Sequence, residues 1–147
     1  MTIVPSEINS MTDEGEWEEV EMAVDSGATE SVVSRDVLTS VQTKEGEAYK
    51  RGVKYEIADG TTIPNEGEKK FIAVAEDYTE RTMRVQVCDV NKSLLSVKKC
   101  VRAGNRVVFS DEEEGSYIEN KMTGERLYMQ ESCGGMYTLK FWVRKPF

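Results

Sequence analysis

The sequence predicts an all-β, barrel-like domain. Three observations carry this expectation. Apolar and polar residues alternate over short stretches, glycine-containing turn pairs recur between those stretches, and helical spacing is confined to brief segments. At 147 residues the chain suits one domain with a core of its own. Its balance of 39% hydrophobic and 31% charged residues is globular, with no low-complexity tract or internal repeat.

Residues 1–16 are polar and acidic, contain Pro5 and lack periodicity, so a flexible tail is expected there. The domain proper is expected over 17–147, with a core to about residue 110 and a β extension over 111–147. Trp17 to Asp25 alternates, with Val20, Met22 and Val24 on one face and Glu19 and Glu21 on the other, and predicts a strand. Ser31 to Ser34 continues as a short extended piece, and the spacing over Arg35 to Val41 predicts one or two helical turns. Lys54 to Ile63 reads as strand, Asp59-Gly60 turn, strand, because an Asp-Gly pair supplies the positive φ angles of tight hairpins. Phe71 to Glu76 and Arg81 to Val90 predict a second hairpin around Asp77-Tyr78-Thr79. In its second arm Met83, Val85 and Val87 share one face and Arg84 and Gln86 the other. Behind the pair Leu94-Leu95, Val97, Cys100 and Val101 have helical spacing, so one short helix is expected over Ser96 to Ala103, capped by Gly104. A short strand follows over Arg106 to Phe109. Thr123-Gly124 and Gly134-Gly135 then mark two further hairpins before Val143.

Composition narrows the chemistry. The chain has no histidine, which removes Ser-His and Cys-His catalysis and histidine-ligated metals. Cys88, Cys100 and Cys133 are odd in number and scattered, so neither a disulfide framework nor a zinc site is expected, and a reducing, cytoplasmic setting is. No metal or other cofactor is expected. No apolar run approaches the roughly 20 residues of a membrane span, and the N-terminus lacks a signal-peptide pattern, so no membrane association is expected. Net charge is −8, which argues against nucleic acid as a partner, although residues 90–110 carry bases and no acid. Asn91-Lys92-Ser93 matches a glycosylation acceptor and Asp111 to Gly115 is an acidic run; the first lacks a secretory context and the second lacks calcium-loop spacing.

Residues 25–29 read Asp25-Ser26-Gly27-Ala28-Thr29, directly behind the first strand. An Asp-Ser-Gly triplet at a strand end is suited to supplying half of a carboxylate pair. Two carboxylates roughly 3 Å apart share one proton, because like charges that close cannot both ionise. The ionised member draws a proton from water, which attacks a carbonyl, and the protonated member stabilises the resulting oxyanion. Asp25 would give the carboxylate from a rigid strand end. Ser26 has a hydroxyl that can tie two such loops together, and Gly27 allows close backbone approach with an N–H free for the carboxylate. The triplet occurs once, and the chemistry needs two.

Three stretches together resemble the retropepsins, the proteases of retroviruses and LTR retrotransposons, and most closely those of copia-type elements: Val24 to Thr29; Ile57 to Pro64 with Gly67; and Leu94 to Lys99 through Ala103-Gly104 to Phe109. Gly134 to Leu139 resembles the region where such polyproteins run on toward the next module. The resemblance implies a closed acid-protease barrel with Asp25, Ser26 and Gly27 as the catalytic loop. It places Ala28 and Thr29 beside the substrate, Asp59, Gly60 and Thr61 at the tip of a flap closing over it, and Leu94 and Leu95 as an apolar pair under the loop, with Leu95 among the substrate-binding residues. One departure is Ser96, where retroviral members usually carry glycine.

The resemblance implies an aspartic endopeptidase, active as a homodimer with one Asp25 from each copy, that cleaves peptide or polyprotein substrate within retroelement particles. The alternative is a catalytically inactive member of the same fold that serves as a dimerisation or peptide-binding module.

Overall fold

The computed structural model describes residues 17–145, so the expected tail over 1–16 lies outside the described residues. The architecture is mostly β, with twelve strands and two short helices among those residues. Strand β1 (Trp17–Asp25) has the expected alternation: Val20 and Met22 are buried while Glu19 and Glu21 face solvent. Next come β2 (Val32–Val33), helix α1 (Glu47–Lys50), the hairpin β3 (Lys54–Glu56) and β4 (Thr62–Pro64), and the long hairpin β5 (Gly67–Val74) and β6 (Glu80–Val87). Strand β7 (Leu94–Ser96) leads into α2 (Val97–Arg102), which ends at Gly104 with φ +95°, and β8 (Asn105–Val108) follows. The remainder forms β9 (Tyr117–Asn120), β10 (Arg126–Tyr128), β11 (Gln130–Glu131) and β12 (Tyr137–Arg144).

The large sheet runs β1-β7-β2-β6-β5-β12-β11, and β12 also pairs with β1, so the pairing returns to its starting strand. β1 and β12 are antiparallel from Trp17↔Arg144 to Ala23↔Thr138, whereas β1 and β7 are parallel, with Asp25 level with Ser96. The segment expected as a β extension therefore divides in two. β9 and β10 join β8 in a separate three-stranded sheet, while β11 and β12 belong to the large sheet. The main core gathers Val20, Met22, Val33, Phe71, Val85, Val87, Leu95, Leu139, Phe141 and Val143, and a smaller cluster joins Val74 to Trp142. Gln86, expected on the polar face of β6, is also buried, and its amide oxygen accepts from Asn65 Nδ2 at 2.8 Å.

Arg35 to Val41 is a series of turns instead of the expected helix. The cause lies elsewhere in the chain. Lys69 on β5 is buried, and its ammonium donates to the carbonyls of Val37 (3.0 Å) and Leu38 (2.7 Å). From β1 the Glu18 carboxylate accepts from the amides of Thr39 and Ser40 (3.2 Å each) and from the Ser40 hydroxyl (2.5 Å). Leu38 is pinned at φ +56° with its side chain in the core, outside helical geometry. Burial holds the Lys69 pKa below that of a free lysine, with the Glu18 charge opposing the shift. Lys69→Met keeps the stem but leaves the Val37 carbonyl without its donor and the Leu38 carbonyl with the Val41 amide alone, and is expected to destabilise by about 1–3 kcal/mol in denaturant unfolding. A change below about 0.5 kcal/mol would mean that the turn is held by something else.

Burial pushes the thiols of Cys88 and Cys100 up to about 11. Both are therefore protonated at neutral pH, which removes them as nucleophiles. The folded state keeps these protons over a range in which an unfolded thiol, with pKa about 9, has lost them. Their contribution to stability is therefore complete below about pH 9 and is lost as pH rises toward about 11. Thermal unfolding followed from pH 8 to pH 11 is expected to show a falling Tm, and Cys100→Ala is expected to flatten the fall.

Candidate active site

Asp25 ends β1, and the chain leaves the sheet there. Parallel pairing with β7 fixes the strand end against Ser96, where α2 begins. The Asp25 carboxylate is half-buried and accepts one hydrogen bond among the described residues, from the Gly27 amide to Oδ1 at 2.8 Å. This is the bond the triplet led us to expect. A methyl group at Gly27 would stand 3.4 Å from the same oxygen, so no contact among the described residues demands glycine there. Ser26 and Gly27 are exposed, and the Ser26 hydroxyl has no partner among the described residues.

The residue that fastens the loop is Ser96. It is wholly buried, and its hydroxyl donates to the Ala28 carbonyl at 2.7 Å while accepting from the Lys99 amide at 3.2 Å, which makes it the N-cap of α2. Its own amide donates to Ser31 Oγ at 3.0 Å. Ser96 and Ser31 thus join the segment behind Asp25 to the start of α2. A serine placed just before a helical-spacing stretch is itself an N-cap signal, so the capping half of this role was readable from sequence. The Ser31 contact, 65 residues away, was not. A surface ion pair between Glu30 and Lys99 at 3.2 Å spans the same junction and adds little energy.

A hollow of about 340 Å³ lies between this loop and the β3–β4 hairpin. Gly27, Ala28, Thr29 and Leu94 line it from the side of the loop and β7, and Tyr55, Ile57 and Ile63 from the hairpin. Leu95 faces elsewhere: it is buried in the core beneath the loop. Leu94 lines the hollow and Leu95 does not, because neighbouring strand residues point to opposite faces.

Asp59, Gly60 and Thr61 form the exposed tip of the hairpin, away from the walls of the hollow. Gly60 takes φ +87°, and Asp59 Oδ1 accepts from the Thr61 amide (2.9 Å) and hydroxyl (2.6 Å). These bonds to Thr61 hold the Asp59 carboxyl below the usual carboxylate range. The base of the hairpin is anchored by the buried Asn65, which donates to Tyr55 Oη (3.0 Å) and to Gln86, and accepts from the Gly67 amide (2.8 Å). Burial raises the Tyr55 pKa, with the Asn65 bond opposing the shift. The hairpin thus has a fixed base and a free tip.

Among the described residues no group of three or more His, Cys, Asp or Glu side chains could hold a metal, and no helix is long and apolar enough to cross a membrane. What the site offers is the Asp25 carboxylate at a strand end, beside a hollow under a hairpin whose lining also includes Glu30 and Glu56. Compared with family models, curated proteins and solved structures, the chain finds no match.

Proposed function

We propose that the protein is an aspartic endopeptidase that works as a homodimer, built on a retropepsin-like closed barrel. One observation carries the reading. Asp25 stands at the end of a core strand, its Oδ1 held by the Gly27 amide, in a loop that is exposed in the single chain and lies beside the hollow under the β3–β4 hairpin. A carboxylate so placed has no second carboxylate bonded to it among the described residues. A two-fold axis near Ser26 would bring a second Asp25 to face the first and give the free Ser26 hydroxyls partners. The return of β12 to β1 supports the closed barrel.

In the mechanism the paired Asp25 side chains share a proton, one activating water and the other supporting the tetrahedral oxyanion. Peptide lies extended in the hollow, with Thr29 and Leu94 on one side and Ile57 and Ile63 on the other. Processing of a retroelement polyprotein in the cytoplasm is the setting this reading implies. The test is cleavage of a diverse peptide library, inhibited by a pepstatin-type statine and measured across a dilution series. Activity per chain is expected to fall on dilution and to follow a bell-shaped profile on the acid side of neutral, reporting the coupled pair. Cleavage that is independent of concentration down to the nanomolar range, or insensitive to the statine, would refute the dimeric aspartic mechanism.

A further inference from the structure

We infer that the edge of β6 from Glu80 to Arg84 is a docking site for a short, extended segment of a partner protein, which adds to the large sheet as a strand. The cleft beside this edge shares no lining residue with the hollow beside Asp25, and the site does not depend on the protease reading.

The hydrogen bonds of β6 make the first half of the case. β5 pairs with β6 along one edge for its whole length, from Gly67↔Val87 to Val74↔Glu80. Along the other edge β2 pairs only with Gln86 and Val87. There the Gln86 amide donates to the Ser31 carbonyl (2.8 Å) and the Cys88 amide to the Val33 carbonyl (3.1 Å). Backbone groups alternate between the two edges of a strand, so those of Glu80, Thr82 and Arg84 point the same way. Had β2 begun earlier, its register would put Glu30 opposite Arg84, and the Arg84 amide would donate to the Thr29 carbonyl. That bond is not made: the chain bends at Thr29 and Glu30, and the Glu30 carboxylate turns to Lys99 at 3.2 Å. Among the described residues no strand pairing, isolated bridge or other backbone bond engages Glu80, Thr82 or Arg84 on this edge. The open stretch runs roughly 13 Å at about 3.3 Å per residue, and such an edge is a template for an added strand.

The surroundings select which strand. A cleft of about 570 Å³ lies beside this stretch, lined by residues of β6, of α2 and of the sheet formed by β8, β9 and β10. Met83, Cys100 and Ile118 line it together with Leu95, Leu127 and Phe141 of the main core. Glu80, Thr82 and Arg84 are exposed and lie on the opposite face of β6 from Met83. Glu80 and Arg84 stand at the two ends of the open stretch, and neither makes an ion pair among the described residues. The strand that fits alternates in the same way. Its apolar residues fall on the Met83 side, toward the cleft, and its polar residues face out, with a base beside Glu80 and an acid beside Arg84.

The experiment uses the full chain carrying Asp25→Asn, so that no probe is cleaved, and a labelled, end-capped Glu-Val-Thr-Val-Lys peptide read by fluorescence anisotropy. Set antiparallel, this peptide puts its Glu beside Arg84, its Thr beside Thr82 and its Lys beside Glu80. Saturable binding is expected. Methylating the Thr nitrogen should abolish it and methylating both Val nitrogens should leave it intact, because only the first faces the edge. Arg84→Glu should weaken binding about tenfold with an unchanged melting curve, and a peptide with Lys in place of its Glu should recover it. Hydrogen exchange reads the edge directly. In the free chain the Thr82 and Arg84 amides should exchange fast while those of Met83 and Val85, turned to β5, are protected, and the peptide should slow the first pair. Absent binding, equal binding of the same residues reordered so that the two Val are adjacent, indifference to methylation, or slow exchange at Thr82 and Arg84 in the free chain would overturn the proposal. So would an affinity that rises about tenfold when Ile3 and Val4 are both changed to serine, because that result assigns the edge to this chain's own N-terminal segment.

Discussion

Asp25→Asn is expected to lower peptide cleavage by roughly 10³-fold or more, while leaving the unfolding free energy within about 0.5 kcal/mol of the parent. The asparagine keeps the size of the side chain, and its Oδ1 still accepts from the Gly27 amide, now 2.8 Å away. It cannot ionise, so a pair containing it has no base for water. Mixing the variant with the parent sharpens the test. If the site needs one Asp25 from each of two chains, an equal mixture at saturating dimer concentration leaves about half the activity per parent chain, since half of those chains sit in mixed pairs. Activity per parent chain that stays constant on mixing would place both carboxylates within one chain. Normal cleavage by Asp25→Asn alone would end the aspartic reading.

The parts of this fold that sequence foretold are those settled by near neighbours. β1 follows from alternation, the β3–β4 turn from Asp59-Gly60, and the β5–β6 hairpin from the polar break at Asp77 to Thr79. The β9–β10 and β11–β12 hairpins sit where Thr123-Gly124 and Gly134-Gly135 placed them, and α2 stops at Gly104 as its φ requires. What escaped depends on distant partners. The spacing of Val37, Leu38 and Val41 is helical, yet Lys69 and Glu18, from 21 to 32 residues away, claim the backbone groups that a helix would have used. Helix α1 has only four residues and no side-chain cap, so there was no signal to read. β12 looks from sequence like one more C-terminal strand, and nothing local says that it pairs along β1. The candidate site divides in the same way. Asp25 to Gly27 was legible as a motif, Leu95, expected under the loop and among the substrate-binding residues, is buried in the core, and the fastening by Ser31 and Ser96 became visible only once β7 lay beside β1.

Ser96→Ala is expected to cost about 2–3 kcal/mol, because it strands two groups at once. The Ala28 carbonyl loses the donor at 2.7 Å and the Lys99 amide loses its cap at 3.2 Å, both part-buried bonds made by a side chain that is itself 0% exposed. For a chain of this length the loss corresponds to a fall in Tm of roughly 6–12 °C. The loop behind Asp25 adds a second consequence. Ala28 lies on the wall of the hollow and Ser96 is level with Asp25, so releasing the Ala28 carbonyl lets the segment behind the carboxylate move. Where the protease reading holds, kcat is expected to fall more than KM rises at temperatures well below the lowered Tm. Glycine, usual here in retroviral proteases, would remove the same hydroxyl, and the Ser96 backbone at φ −73°, ψ 119° has no need of it. Ser96→Gly is therefore expected to match Ser96→Ala or be slightly worse. A double-mutant cycle with Ser31→Ala separates the hydroxyl from the neighbouring amide contact: a coupling energy below about 0.5 kcal/mol makes the two bonds independent, and a larger one makes Ser31, Ser96 and Ala28 a single fastening. Should cleavage prove absent altogether, the stability loss is still expected in full, because it follows from burial and hydrogen bonding alone.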